Sequence, residues 1–440
     1  MLDPTAARLL ARTARAQRDG RAPSLVAGVV RGGALAWSTG RGEVAEPHTD
    51  VQYRLGSITK TVTALLVMRL RDEGRLDLDD PLERHLPGTP YDRRTVGQLL
   101  SHMAGVGSES PGTWWERAPG TTLDRLGLTE ADRPHAAGRR FHYSNLGYGV
   151  LGELVAALRG RPWADAVREE VLLPLDMTRT TPRPTSPAAQ GFAVHPYADL
   201  VLPEPEHDAG SMAAAGQLWA TLADLGRFAA LLLGDTGDVV SAGTLEEMCE
   251  PSGGAVDGGS WGAYGLGVMV LPMGDRTLVG HGGSMPGFLA GVYVDRAELT
   301  GGISLSNATS GGDAALIPDL LGIVRDAEPR VVDPWRPLPA YDGAALALVG
   351  PWYWGPAPTS LTLRADGLLH LEGLGRRARS SRFRSRGDGT WVGLDGYYAG
   401  EVLRPAADGR SFDLATFAFT REPYDPADVV PGGVDEGGWR

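Results

Sequence analysis

The sequence predicts an α+β protein: one antiparallel sheet flanked by helices, with an inserted helical subdomain, followed by a small C-terminal all-β barrel. Three observations predict it. A helical pattern and a hairpin pattern open the chain, and three strand-like runs with another helix follow residue 260. Residues 80–250 between them read mostly as helices and Pro/Gly loops. Finally, EPRVVDPWRPLPAYDG (328–343) carries four prolines and opens onto short strand-like runs separated by DG turns. The expected domains are 1–327 and 344–440, with 328–343 as linker.

In chain order, residues 4–19 form an amphipathic helical pattern. SLVAGVVRGGALAWSTGRGEV (24–44) reads as two strands joined at Gly32-Gly33, a hairpin pattern. From Ser57, the residues Val62, Leu65, Leu66, Val67 and Leu70 recur at helical spacing, and Gly74 ends the helix. YSNLGYGVLGELVAALRG (143–160) and TLADLGRFAALLLG (221–234) are the clearest helices of the middle third. RTLVGHGG, GFLAGVYVDR and TGGISLSNA are successive strands, and ALIPDLLGIVRDA (315–327) is the helix after them. Past the linker, SLTLRADGLLHLEG, GTWVGLDGYYAG and SFDLATFAFTREPY alternate like strands of a barrel or sandwich.

Composition narrows the function classes. Of 440 residues, 42% are hydrophobic and 22% charged, as in an ordinary globular protein. The net charge of −12 argues against a nucleic-acid footprint. The densest basic run, RRARSSRFRSR (376–386), reads as a solvated hairpin. Cys249 is the single cysteine, so no intramolecular disulfide forms. The N-terminal stretch, with Arg8, Arg12 and Arg15, lacks the apolar core of an export signal, and no run approaches a transmembrane span. A cytoplasmic enzyme without a membrane partner is the expectation. The histidines show no metal-ligand spacing, and no nucleotide fingerprint stands out, so neither metal nor cofactor is expected.

Lys60 is the only lysine among the 42 basic residues; the rest are arginine. It stands three residues after Ser57 at a helix start, which puts both on one face. There the helix dipole favours a developing negative charge on the serine. A desolvated lysine amine can lose its proton and act as a base, which arginine cannot. S-x-x-K by itself is common, and a single lysine surviving an arginine bias is the plain alternative. A second element, Tyr143-Ser144-Asn145, opens another helix. Tyr143 could share proton transfer, and Asn145 could bond a substrate amide and the lysine; or one of Ser144 and Asn145 caps the helix while Tyr143 packs. A third, Gly280-His281-Gly282-Gly283-Ser284, ends a predicted strand, where glycines admit a substrate backbone and a free N–H serves an oxyanion hole. GGSWG (258–262) matches G-x-S-x-G, but its flanks offer no strand-to-helix elbow.

Together the three motifs resemble the serine β-lactamase and penicillin-binding-protein superfamily, in its class C-like esterase and D-peptidase branch. That family's order is S-x-x-K, Y-x-N, then K-T-G or H-x-G. The resemblance covers about residues 20–327, since QLLSHMAGV (98–106) and PLDMTRT (174–180) also look like family segments. It implies Ser57 as the acylated nucleophile and Lys60 with Tyr143 as the proton-transfer pair, the first base left open between them. It further implies His281 in the third catalytic motif, Asn145, Gly282 and Gly283 at the substrate, and an oxyanion hole from the N–H groups of Ser57 and Ser284. His281 stands where β-lactamases carry lysine, which removes a fixed charge for a substrate carboxylate and favours esters, thioesters or peptides.

A hydrolase domain followed by a lipocalin-like barrel looks like the stand-alone penicillin-binding-protein-type thioesterases, which release nonribosomal peptides from a carrier protein as macrocycles. Small-molecule or peptidyl substrates, presented by such a carrier, are the implied partners. A D-stereoselective peptidase or an esterase is the alternative, and a binding protein on an inactive scaffold is the non-enzymatic one. Arg421-Glu422 in the barrel could hold a peptide terminus, or form a surface ion pair. HDAGSMAAAGQLW (207–219) could line the cleft or merely pack.

Overall fold

The computed structural model describes residues 1–91, 93–254, 262–332, 334–375 and 379–423. The GGSWG motif, except Gly262, lies outside them, as do residues 376–378 of the arginine-rich run and Tyr424 of TREPY. The chain divides into two compact units, Met1–Arg330 and Val331–Arg440.

The first unit is built on an eight-stranded sheet. Its order runs from Ala34–Gly42 and Ser24–Arg31 through Thr300–Ser306, Phe288–Asp295 and Arg276–Met285 to Met269–Met273, Ala263–Tyr264 and Gly253–Gly254. The first hairpin therefore pairs with the last long strand, Val29 opposite Gly302, and the helical middle of the chain is an insertion. The Ser24–Arg31 strand shows why its sequence is apolar at nearly every position. Leu25, Ala27 and Val29 pack with Leu9, Leu316 and Leu320 of the helices Asp3–Asp19 and Leu316–Ala327. Val26 and Val30 point the other way, into the main core with Leu225 and Phe228 of the helix Leu222–Leu233. A strand covered on both faces loses the polar alternation of a half-exposed one.

The helix Ile58–Asp72 is buried almost all round, as a helix running through a core must be. It packs against the helix Asn145–Arg159, so the starts of two core helices and the strand Arg276–Met285 border one cleft. The Gly-rich motif is interior to that strand rather than at its end: pairing with Phe288–Asp295 runs unbroken from Leu278 to Met285. Among the described residues, no helix is long and apolar enough to cross a membrane.

The second unit is a closed, up-and-down barrel of eight antiparallel strands, from Gly350–Trp354 to Phe417–Thr420, joined where Tyr353 pairs with Thr420. Trp352, Leu361, Leu371, Phe383, Leu403 and Phe412 fill it. The run at 376–386 contributes a barrel strand, Ser381–Ser385, with Phe383 buried inside and the arginines outside.

Candidate active site

The entry to the helix that follows Ser57 is pinned from three sides. Leu55 N–H donates to the Leu218 carbonyl at 2.8 Å, and Gly56 turns the chain with φ +54°. A Cβ on Gly56 would lie 2.6 Å from the nitrogen of Ser284, and one on Gly283 would lie 1.8 Å from the Leu55 oxygen and 2.9 Å from the Ser57 nitrogen. The Gly-rich strand thus rests directly on the backbone that carries Ser57. Only glycine permits that approach, and it brings the backbone nitrogens of Ser57 and Ser284 to the same edge of the cleft.

Ser57 occupies the N-cap position, but its side chain bonds no helix N–H. Its Oγ instead accepts from Lys60 Nζ at 2.9 Å. Lys60 Nζ also donates to the carbonyl of Ala215 at 2.8 Å and lies 5.0 Å from the centre of the Tyr143 ring. The amine is fully buried. Burial brings its pKa down to about 7, against the opposing pull of Glu109 and Glu116. Tyr143 hydrogen-bonds Ser57, and burial pushes its phenol far above the ordinary tyrosine range. At neutral pH the site therefore holds a titrating amine and a phenol that keeps its proton.

Ser144 caps the helix Asn145–Arg159 through its hydroxyl, which accepts from Gly147 N–H at 2.8 Å. That frees Asn145, whose Nδ2 donates to Glu109 Oε1 at 2.8 Å. Asn145 does not bond Lys60; the second lysine contact is the Ala215 carbonyl, from the HDAGSMAAAGQLW segment. That segment supplies a first contact of the reacting group, and its run of small residues was the only hint in the sequence.

His281 lines the cleft, yet both ring nitrogens are committed to the protein. Nδ1 lies 2.5 Å from the Gly282 carbonyl oxygen, which only accepts, so Nδ1 carries the hydrogen. Nε2 then accepts from the hydroxyl of Tyr264 at 3.0 Å. Burial and the neighbouring Lys60 bring the His281 pKa down to about 3, so the ring is neutral. In this arrangement the ring braces the Gly-rich strand at the edge of the cleft.

His102, unassigned in the sequence, is buried with φ +58°. It accepts from Ser144 N–H at 3.0 Å through Nδ1 and lies 4.2 Å from the Tyr143 ring. Sequence reasoning also missed Glu109 and Glu116. Glu109 Oε2 accepts from Trp115 Nε1 at 2.6 Å and Glu116 Oε2 from Trp114 Nε1 at 2.9 Å, and both carboxylates line the cleft. Their acidic loop carries no recognisable spacing. Among the described residues, no group of three or more His, Cys, Asp or Glu side chains is placed to hold a metal ion. In the second unit, Arg421 has no ion-pair partner among the described residues, and its guanidinium is engaged by backbone. It donates to the carbonyls of Ala347, Val349 and Pro351 and lies over the Trp352 ring at 3.8 Å.

A helix-borne serine, a buried lysine and a tyrosine around one oxygen are the arrangement that acyl transfer through a serine requires. The chain belongs to the Beta-lactamase family, whose model matches residues 10–324, within the β-lactamase and penicillin-binding-protein superfamily. Residues 341–421 match a domain of unknown function. Beta-lactamase-like protein 2 of Dictyostelium discoideum is 27% identical over 261 residues, 54% of this chain and 47% of that protein. The chain thus spans less than half of that relative. A D-stereospecific amidohydrolase from a Streptomyces species is 28% identical with a TM-score of 0.61, over 71% of this chain and 97% of that one. The structure of SurE with D-Leu is 25% identical with a TM-score of 0.55, over 96% of this chain and 100% of that one.

Proposed function

We propose that this enzyme transfers D-configured peptidyl or aminoacyl groups from a thioester or ester onto Ser57 and passes them to an amine, releasing peptides as macrocycles. The observation that carries acyl transfer is the 2.9 Å contact between Lys60 Nζ and Ser57 Oγ at a buried amine whose pKa is about 7. Near neutral pH the unprotonated amine takes the Oγ proton as oxygen attacks the acyl carbon. The N–H groups of Ser57 and Ser284 receive the oxyanion. Tyr143 gives its proton to the leaving thiolate and recovers one from the lysine ammonium. Attack by an amine then rebuilds Ser57 and completes the turnover.

D-configuration is supported by the Streptomyces amidohydrolase and by the D-Leu in the SurE structure. The thioester donor, presented by a cytoplasmic carrier protein, is supported by the hydrolase-plus-barrel layout that the stand-alone thioesterases resemble. The same relatives favour a second reading, hydrolysis of D-configured amides, in which water takes the acyl group.

The test is a peptidyl pantetheine thioester ending in a D-residue, with Ser57→Ala as control. A Ser57-dependent acyl-enzyme and a product one water lighter than the linear acid are expected. Linear acid alone would establish the hydrolase reading. Absence of both an acyl-enzyme and fluorophosphonate labelling would overturn acyl transfer altogether.

A further inference from the structure

The cleft beside Ser57 carries two carboxylates that the acylation chemistry does not use. Glu109 and Glu116 line it, and neither has an ion-pair partner among the described residues; the neighbouring Arg117 pairs with Glu204 instead. Trp115 and Asn145 each donate one hydrogen bond to Glu109, and Trp114 donates one to Glu116. A carboxylate accepts about four hydrogen bonds, so both keep free capacity toward the cleft. Arg139 and Arg140 also line the cleft, but they are exposed and neutralise neither carboxylate through a contact. Lys60, half-neutral near pH 7, supplies only a partial balancing charge, and the buried guanidinium of Arg54 acts on Glu116 through its field rather than through a hydrogen bond.

A separate observation points to what the carboxylates receive. Asn145 is only 9% exposed. Its amide orientation is fixed chemically, because a carboxylate can only accept and Nδ2 must be the atom that faces Glu109. Its Oδ1 receives no hydrogen bond from the described residues and is not among the sealed-off polar atoms. This oxygen, on a side chain lining the cleft, is left for a donor from outside the protein. Three acceptors, two of them charged, match the three N–H groups of a primary ammonium.

We propose that Glu109, Glu116 and the Asn145 side-chain oxygen form the acceptor subsite of this acyltransferase, which captures a primary amine as its ammonium beside acyl-Ser57. The inference rests on Ser57 being acylated, and it deepens that reading by assigning what resolves the intermediate. The ammonium gives one proton to Glu116, and the freed lone pair forms the new C–N bond. The C–Oγ bond breaks, and the second nitrogen proton passes through the Lys60–Tyr143 pair to Oγ. Glu116 then releases its proton to solvent. Burial, with repulsion from Glu109, outweighs the Trp114 hydrogen bond and the fields of Lys60 and Arg54 and raises its affinity for a proton, which suits it to that step. A high local amine concentration is what lets aminolysis outrun water.

The test loads Ser57 from an activated D-aminoacyl ester and measures the ratio of amide to free acid at pH 7.5. One acceptor is glycinamide, which arrives as a cation, and the other is hydroxylamine, which arrives neutral. Glu109→Gln and Glu116→Gln are compared with wild type, and fluorophosphonate labelling of Ser57 is read in each. Hydrogen bonds to charged groups predict roughly a 10- to 100-fold fall in the glycinamide ratio, with a smaller change for hydroxylamine. An equal fall for both acceptors, or no fall, would overturn the subsite while leaving acyl transfer standing. Loss of labelling in wild type would overturn the acyl-enzyme and the subsite together.

Discussion

The hydroxyl of Tyr264 donates to Nε2 of His281 across 3.0 Å, while the opposite ring nitrogen is spent on the Gly282 carbonyl. This pair replaces a cationic side chain with a neutral brace. Tyr264→Phe leaves a buried acceptor unpaired, which costs about 1–3 kcal/mol, read as a lower urea midpoint. Acid has a related effect. The folded His281 pKa of about 3 lies below the ordinary 6.5. Between those values the unfolded chain binds the proton preferentially, and stability falls as pH drops, by up to about 1.4 kcal/mol per pH unit. Stability measured from pH 7 to 4 should decline less steeply in His281→Gln, and an unchanged slope would remove His281 from the acid response.

The lysine should set the pH dependence of the reaction. With Lys60 near pKa 7 and the Tyr143 phenol raised, kcat/KM should climb through about pH 7 as the lysine loses its proton. His281, already neutral, should add no second inflection between pH 5 and 8. Lys60→Arg keeps a cation but cannot titrate there, so the acylation rate should fall by about 10²-fold or more, the range general-base catalysis supplies. Substantial activity in that variant would refute the titratable-amine mechanism.

Gly283 should tolerate no side chain. An added Cβ would stand 1.8 Å from the Leu55 oxygen, and backbone on both sides leaves nothing flexible to yield. Gly283→Ala should therefore shift the strand away from Ser57, slowing fluorophosphonate labelling by at least about tenfold and destabilising the fold by about 1–3 kcal/mol. Labelling rate and thermal midpoint check both. Gly282→Ala is the comparison, because its Cβ would meet nothing nearer than the Tyr293 hydroxyl at 3.2 Å.

Much of this architecture is legible in the sequence because it rests on local pattern. The apolar run at 24–31, the helical spacing after Ser57 and the capping serine at 144 each act over a few residues. What stayed hidden was tertiary. The Ala215 carbonyl reaches Lys60 across 155 residues of chain, and a backbone oxygen has no side-chain identity to read. Glu109 meets Asn145 only once a loop folds over a helix start. The tautomer of His281 depends on Tyr264, seventeen positions upstream on another strand. A Gly-rich motif promises close approach, but it does not say whether its histidine faces substrate or protein.

Arg421 is the last case, and it bears on what the barrel residue does. Its guanidinium donates to three carbonyls at the end of the helix Gly343–Leu348 and the start of the first barrel strand, and it covers the Trp352 ring. Those contacts tie the last barrel strand's exit to the barrel's beginning. Arg421→Ala removes charge-assisted hydrogen bonds and a cation–π contact, together costing about 1–3 kcal/mol after solvent compensation. The barrel should unfold at lower urea, visible in tryptophan fluorescence, while Ser57 remains labelled by a small fluorophosphonate. Lysine at 421 should rescue only part of the loss, since it lacks the planar fork that reaches several carbonyls at once. An unchanged unfolding midpoint together with lost turnover on peptidyl thioesters would instead make Arg421 a substrate contact.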